Sequence, residues 1–277
     1  MAAVINSNSV LWALSRKMAK SAYKVRGFAR LADFVRQRIA RTSSAEYLIK
    51  DYDGDLKFSS RLNDHIGSFI FWKGTYSGYP LEWVKFFLKP DDIFLDIGAN
   101  QGEYTVQAAK IVCDGRVYAF EPSDPIRQAL KKNIALNNFQ NVTVSAYGLG
   151  SEPGVLPLYA AQDRFSDGTF HNGLETLFPS ETRNQKVGEI QIVRLDDYAH
   201  EQGIAKCRMI KIDTEGAEFT ILTGGQSFIR KNLPVLILEF HSVTSENAGH
   251  TILDLWNMVV SWGYRIFEHL PNDTIRE

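Results

Sequence analysis

The chain has 277 residues, enough for one large domain with a substantial core and an accessory segment. Hydrophobic residues make up 44% and charged residues 23%, which is typical of a globular protein rather than a disordered one. The formal net charge of −1 hides an asymmetry, because residues 1–41 amount to +8 and the remainder to −9. An acidic body argues against nucleic acid as the main partner, since phosphate binding requires clustered positive charge.

Neither a membrane span nor a disulfide framework is indicated. No apolar run approaches the roughly 20 residues that a spanning helix needs, and the apolar stretch Val10–Leu14 is too short for the core of a signal peptide. The two cysteines, Cys113 and Cys207, are far apart and lack metal-ligand spacing. We therefore expect a cytoplasmic protein without a structural metal.

Residues 1–45 are predicted to form a basic N-terminal helical arm. Apolar residues recur there at helical spacing, and basic residues fill most of the other positions; the apolar positions are Leu11, Leu14, Met18, Phe28, Leu31, Val35 and Ile39. Such a helix either packs on the domain as a cap, which we favour, or makes a weak contact with a partner or with the periphery of an anionic membrane.

Residues 46–90 are predicted to be a small α/β lead-in packed on the core. Tyr47–Ile49 and Leu56–Phe58 flank the turn Asp53-Gly54, which indicates a hairpin. Leu81–Leu88 is predicted to be a short helix that stops before Pro90.

Residues 91–277 show alternating strand and helix patterns, which predict a doubly wound, mostly parallel sheet with helices on both faces. A long polar stretch, 159–189, interrupts the alternation and is interpreted as an acceptor-binding loop, with a disordered surface loop as the alternative. The predicted strands are Ile93–Ile97, Arg116–Phe120, Val142–Ala146, Ile190–Val193, Met209–Ile212, Val235–Phe240 and one starting at Tyr264–Phe267; the predicted helices are Glu103–Val112, one capped by Asp124 with Pro125 at its first position, Leu195–Gln202, one from about residue 215, and one over Ile252–Val260.

The first of these strands is followed by a glycine-containing loop that begins at Asp96. Gly98 permits a tight turn and a close approach of a ligand to the backbone, and Gly102 opens a helix whose N–H groups attract an anionic group. The loop departs from the dinucleotide fingerprint G-x-G-x-x-G, because it has Ala99 and Asn100 where the second glycine of that fingerprint would fall. A carboxylate at Asp96 suits a cationic ligand end, such as an amino group or a sulfonium.

The second strand ends at Glu121, followed by Pro122, and the third is followed by Tyr147-Gly148. An acid at the position of Glu121 accepts hydrogen bonds from both ribose hydroxyls of a nucleoside and repels a 2′-phosphate. Tyr147 and Gly148 are predicted to border the adenine ring. Together with the loop, these residues favour S-adenosylmethionine over NAD as the cofactor.

Acidic and histidine residues follow the later strands and provide the candidate catalytic groups. Asp213 and Glu215 follow the fourth core strand, and His241 follows the fifth. His171 lies in the predicted acceptor loop. We consider Asp213, His241 and His171 as candidate general bases. Asp213, Glu239 and His241 are ligand types that would suit Mg²⁺, but their spacing does not require a metal.

These motifs resemble the FkbM family of methyltransferases. The similar segments are Asp96–Gly102 (DIGANQG), Ala119–Pro122 (AFEP), Asn133–Val142, Arg194–Asp197 (RLDD), Lys211–Glu218 (KIDTEGAE) and Leu238–Phe240, in order over roughly residues 54–241. The resemblance implies a Rossmann-like class I fold and O-methylation with S-adenosylmethionine, on hydroxyls of sugars, polyketides or other small molecules or glycans.

By the same resemblance, Asp96, Gly98, Asn100 and Gly102 would line the methionine end of the cofactor, Glu121 would hold the ribose, and Asp213 and Glu215 would face the reacting centre. Class I sheets end in a seventh, antiparallel strand, for which little chain remains after Phe267; that strand is missing, or lies outside this chain, or is replaced by the lead-in.

Two other function classes stay open on sequence alone: an NAD-dependent oxidoreductase, and a cofactor-binding protein without activity. The sequence does not specify the oligomeric state.

Overall fold

The computed structural model describes residues 16–19, 21, 28–42, 44–160, 165, 167–170, 174–269 and 275–276. The predicted arm positions Leu11 and Leu14 and the candidate base His171 lie outside these residues. Within the described ranges, no helix is both long enough and apolar enough to cross a bilayer.

The N-terminal region contains a helix, an antiparallel hairpin and two shorter helices. They are α1 (Phe28–Thr42), β1 (Glu46–Tyr52), β2 (Leu56–Arg61), α2 (His65–Lys73) and α3 (Pro80–Phe87). The predicted hairpin around Asp53-Gly54 is confirmed, because β1 and β2 pair on either side of that turn. Its apolar face, including Tyr47 and Phe58, packs with Ile70 of α2 and with Val106 of the following domain.

From residue 93 the chain alternates between strands and helices. The elements are β3 (Ile93–Ile97), α4 (Glu103–Ile111), β4 (Arg116–Phe120), α5 (Asp124–Leu136), β5 (Val142–Ser145), β6 (Gly148–Leu149), β7 (Gly154–Ala160), β8 (Gln185–Val193), α6 (Leu195–Glu201), β9 (Met209–Ile212), α7 (Glu218–Gly224), α8 (Gln226–Asn232), β10 (Val235–Leu238), α9 (Ser242–Asn247), α10 (Ile252–Ser261), β11 (Glu268–His269) and β12 (Ile275–Arg276).

Five parallel strands form the central sheet in the order β10-β9-β3-β4-β5. The strand order reverses beside β3, so the ends of β3, β4 and β9 define the crevice in which doubly wound sheets bind ligands. The predicted α/β fold with a doubly wound, mostly parallel sheet is confirmed. The lead-in does not complete this sheet, because β1 and β2 form a separate two-stranded sheet.

Alternate side chains of the central strands enter two different cores. Leu95, Ile97 and Ile210 pack on one face with helices α6, α7, α8 and α10. Phe94 and Met209 pack on the other face with α3 and α4. This two-sided burial explains why the strands are continuous apolar runs in the sequence.

The polar stretch 159–189 is not a single loop. Its ends belong to β7 and β8, which pair antiparallel with Tyr159 opposite Lys186 and Ala160 opposite Gln185. Most residues of β8 before Ile190 are exposed, so the polar composition reflects a solvated strand as well as a connection. Predicted strand Ile190–Val193 is confirmed as the end of β8, in a three-stranded sheet with β6 and β7.

Two predicted helix starts are wrong by one to three residues. The helix expected from about residue 215 begins at Glu218, because Glu215 and Gly216 have φ of 58° and 116°, outside the helical region. Ser123, rather than Asp124, is the N-cap residue of α5.

The predicted strand at Tyr264–Phe267 is also absent from the central sheet. Instead β11 pairs with β12 in a separate hairpin. Tyr264 and Ile266 pack against the main core, and the Tyr264 hydroxyl donates to the Pro234 carbonyl at 2.9 Å. The apolar pattern of this segment therefore reflects packing rather than strand pairing.

Candidate active site

A cavity of about 330 Å³ opens at the carboxyl ends of β3, β4 and β9. Gly98 after β3 and Glu121 after β4 both line this cavity. Seven more of the predicted site residues line it as well: Ala99, Asn100, Pro122, Tyr147, Gly148, Asp213 and Glu215. The two strand ends that the sequence motifs single out thus converge on one binding space.

The loop after β3 depends on glycine at Gly98. Its φ is 77°, and a Cβ atom there would lie 2.0 Å from the Asp213 carbonyl oxygen, so any larger residue would push β3 and β9 apart. Asn100 also has a positive φ, 51°. Gly102 lies behind the loop at φ 96°, where a Cβ would clash with Leu130. Gly102 does not line the cavity but fixes the turn into α4.

Asp96 lies beneath this loop and is fully buried. One carboxylate oxygen accepts a hydrogen bond from Thr105 Oγ1 at 2.5 Å. The other, Oδ1, has no hydrogen-bond partner among the described residues, and Lys211 Nζ lies 3.7 Å from it. Burial raises the pKa of Asp96. Asp96 is not among the residues that line the cavity, so it does not form the predicted lining of the methionine end. Its carboxylate lies beneath the loop as a negative charge, which suits a cationic ligand bound above it.

Lys211 links the two strand ends and was not predicted as a site residue. Its Nζ donates to the Gly98 carbonyl at 2.7 Å and lies 3.5 Å from Asp213 Oδ2. Burial by itself lowers the pKa of Lys211, but the carboxylates of Asp213 and Asp96 outweigh it and the pKa is raised. A lysine inside an apolar strand requires an acidic partner, and that is the sequence signal that could have identified it.

Glu121 is held in place by backbone donors. Its carboxylate accepts hydrogen bonds from the Asn100 and Ser123 amides, each at 2.9 Å. Burial raises the pKa of Glu121 to about 7. Each carboxylate oxygen retains acceptor capacity beyond one amide, so Glu121 can accept from ribose hydroxyls while it orders the loop at Asn100.

The wall beyond Glu121 is mostly apolar. Tyr147 and Gly148 line it as predicted, together with Leu158 of β7 and Ile190 of β8. A Cβ on Gly148 would approach Ile192 Cδ1 to 2.7 Å, so glycine allows β6 to pack closely on β8. Aromatic and aliphatic side chains of this kind suit a planar adenine ring.

The opposite side of the cavity is acidic. Asp213, Glu215 and Glu239 line it from the ends of β9 and β10. Arg183 forms a salt bridge with Glu215 and so joins the connection between β7 and β8 to the site. Burial, with Asp213 and Glu215 nearby, raises the pKa of Glu239 well above its usual range and so favours its protonated form.

The lead-in covers the acidic side through a short segment at 75–78. Tyr76 and Ser77 line the cavity, and the buried Glu103 at the start of α4 holds them. Glu103 accepts hydrogen bonds from the Tyr76 and Ser77 amides at 2.8 and 2.9 Å and from the Thr75 and Ser77 hydroxyls at 2.8 and 2.7 Å. The sequence did not predict this role, since an acid in a first helical turn ordinarily indicates helix-dipole stabilisation.

The histidine candidates are placed differently from Asp213. His241 is exposed, is not among the cavity-lining residues and caps α9, with its Nδ1 accepting from the Thr244 amide at 3.4 Å. Predicted candidate His171 lies outside the described residues. Among the residues that are described, no cluster of three or more His, Cys, Asp or Glu side chains has an arrangement suited to a metal ion.

Comparisons with known proteins show which family the chain is similar to. The sequence profile of the methyltransferase FkbM domain matches residues 96–266, more than half of the chain. The chain is 27% identical over 147 residues to methyltransferase 1 of Beauveria bassiana, covering 49% of this chain and 59% of that protein. It is 25% identical over 177 residues to the 31-O-demethyl-FK506 methyltransferase FkbM of Streptomyces tacrolimicus, covering 56% and 68%.

A solved structure with partial similarity is the precorrin-6y C5,15-methyltransferase of Geobacter metallireducens, with 14% identity, a TM-score of 0.39 and coverage of 69% and 71%. The chain spans about six tenths of the length of the first two curated relatives. The profile match agrees with S-adenosylmethionine, the cofactor predicted from the strand-end motifs. The chain belongs to the FkbM family of methyltransferases.

Proposed function

We propose that this protein transfers a methyl group from S-adenosylmethionine to a hydroxyl oxygen of a small-molecule or glycan acceptor, such as a sugar or a polyketide. The observation that carries the proposal is the convergence of Gly98 and Glu121 on one cavity whose far side is acidic. The name of the Streptomyces tacrolimicus relative indicates an oxygen as its methyl acceptor, which supports oxygen here.

The cofactor side of the cavity binds and orients S-adenosylmethionine. S-adenosylmethionine supplies a methyl group on a sulfonium, which is already activated for displacement. Glu121 accepts from the ribose hydroxyls, Gly98 lets the backbone approach closely, and Asp96 with Asp213 offsets positive charge at the methionine end. Tyr147 and Gly148 border the adenine. Holding both reactants in line contributes about 7–11 kcal/mol in favourable systems.

The acidic side handles the acceptor proton. Asp213 is the candidate base that lines the cavity, with its side chain 47% exposed. We assign it as the group that accepts the hydroxyl proton, a role that contributes roughly 10²–10⁴ in rate. Because the raised pKa of Glu239 favours its protonated form, this side chain can donate a hydrogen bond to an acceptor oxygen. Tyr76 and Ser77 line this side next to the acidic residues.

Binding of two different ligands distinguishes the proposed function from an oxidoreductase. Melting temperatures are measured with S-adenosylhomocysteine and with NAD; we expect stabilisation by S-adenosylhomocysteine alone. Stabilisation by NAD alone would identify an oxidoreductase and contradict the proposal.

Transfer of radiolabelled methyl from S-adenosylmethionine to a panel of sugar and polyketide alcohols then tests activity, with and without EDTA. Label in an ether product supports O-methylation, and loss of transfer with EDTA would reveal a Mg²⁺ requirement. Binding of S-adenosylhomocysteine without transfer to any hydroxyl acceptor would favour a cofactor-binding protein without activity.

A further inference from the structure

The helix α1 is bound to the rest of the protein along one face. Arg36 and Ala40 on this face are 4% and 1% exposed. The Arg36 guanidinium lies 4.6 Å from the centre of the Phe69 ring and donates to Asp167 at 2.8 Å. Burial alone would raise the pKa of Asp167, but hydrogen bonds from Thr169 and Arg36 hold it at about 2. The predicted packed cap is thus present in α1.

The opposite face of α1 is open and apolar at its centre. Leu31, Phe34 and Val35 are 60%, 66% and 39% exposed. At 100° per residue these three side chains fall within one arc of the helix, opposite Arg36 and Ala40. Side chains of this size on one exposed arc form a patch rather than scattered surface residues.

The charge on this face has one sign. Arg30 and Arg38 are exposed beside Phe34 and Leu31. Asp33, the sole acid of α1, is on the packed side and pairs with Arg36 at 3.1 Å. The apolar patch is therefore flanked by arginines, and no acidic residue of α1 lies beside it. The net charge of the first 41 residues is +8.

We propose that the exposed face of α1, formed by Arg30, Leu31, Phe34, Val35 and Arg38, docks the protein on an anionic lipid bilayer. Interfacial helices combine buried apolar side chains with basic residues that reach lipid phosphates. A nucleic acid would contact the arginines but would leave Leu31, Phe34 and Val35 in water, so charge and apolarity together favour lipid. Docking is independent of the methyl-transfer proposal.

The test is cosedimentation of the full chain with sucrose-loaded vesicles of phosphatidylcholine, with or without phosphatidylglycerol. We expect binding only to the anionic vesicles and weaker binding as salt rises. The double variant Leu31→Ser/Phe34→Ser and the double variant Arg30→Gln/Arg38→Gln should each lower the partition coefficient about tenfold. Exposed side chains are changed in both, so melting temperatures should match the unaltered protein.

Matched controls change exposed residues on other elements. Val155→Ser/Leu253→Ser removes two apolar side chains that are 64% and 68% exposed. Arg230→Gln/Lys231→Gln removes two exposed charges of α8. Both controls should bind anionic vesicles like the unaltered chain. The proposal is overturned if the unaltered chain does not bind anionic vesicles, and binding of an acidic protein to the same face would not rescue it. It is also overturned if the α1 variants bind the vesicles as tightly as the controls.

Discussion

The cofactor side and the acidic side of the cavity are built in different ways. The cofactor side is built around two consecutive strand ends, where Gly98 shapes the backbone and the Asn100 and Ser123 amides donate hydrogen bonds to Glu121. The acidic side consists of side chains from separate parts of the chain, among them Tyr76 and Glu239. Changes at Gly98 and Glu121 on the first side should act mainly on cofactor binding, and a change at Asp213 on the second side mainly on turnover.

The largest expected effect is on turnover. Asp213→Asn should lower kcat about 10²–10⁴-fold, because the acceptor proton loses its proposed base, while affinity for S-adenosylhomocysteine, which lacks the sulfonium charge, should fall much less. Single-turnover methyl transfer and calorimetric titration measure the two quantities. Asp197→Asn, at an exposed position of α6, is the control. An unchanged kcat in Asp213→Asn would return the role to His241 or His171.

The next largest effect is steric. Gly98→Ala should weaken S-adenosylhomocysteine binding about 100-fold and lower the free energy of unfolding by about 2–4 kcal/mol, since a Cβ collides with the Asp213 carbonyl. Gly154→Ala, where a Cβ meets nothing within 4 Å, should change stability by less than about 0.5 kcal/mol. Calorimetry measures the affinity and denaturant unfolding measures the stability. If the two variants had equal affinity and equal stability, the loop at Gly98 would not be closely packed against Asp213.

Removing the Glu121 carboxylate, which we propose to bind the ribose, should have a smaller effect that depends on pH. Because burial raises the pKa of Glu121 to about 7, affinity for S-adenosylhomocysteine should increase roughly tenfold from about pH 6 to about pH 8 as the carboxylate ionises. Glu121→Gln should weaken binding about 10- to 100-fold at the higher pH and abolish this dependence. Calorimetry across pH measures both, and a pH dependence that persists in the variant would assign it to another group.

The smallest effect concerns the segment at 75–78, which covers the acidic side. Glu103→Gln loses acceptor capacity for the donors at 75–77 and should weaken S-adenosylhomocysteine binding about 5- to 20-fold. Hydrogen exchange at the Tyr76 and Ser77 amides should become faster. Glu82→Gln, an exposed change on α3, is the control. If exchange at these amides matches that of the control, Glu103 does not position the segment.

The cofactor side could be predicted from the sequence because its signals are local. Apolar runs such as Ile93–Ile97 predict the buried strands, and the residues that follow each strand meet at one edge of a parallel sheet. The spacing from Gly98 to Glu121 therefore identified two residues that share a cavity.

The acidic side of the cavity depends on contacts between distant parts of the chain, which the sequence does not reveal. Nothing near Glu103 indicates that it binds the segment at Tyr76, and no local pattern joins Arg183 to Glu215. The strand predicted at Tyr264–Phe267 failed for the same reason, because apolar side chains that pack on a core resemble those of a paired strand. Periodicity and spacing along the sequence therefore do not predict which side chains come together on the acidic side.

The most direct measurement is a crystal structure of the protein with S-adenosylhomocysteine. The account predicts one molecule in the cavity, with its ribose hydroxyls on the Glu121 carboxylate and its amino acid end against the backbone of Gly98. A ligand that contacts only one of these two residues, or that binds elsewhere on the molecule, would contradict the account.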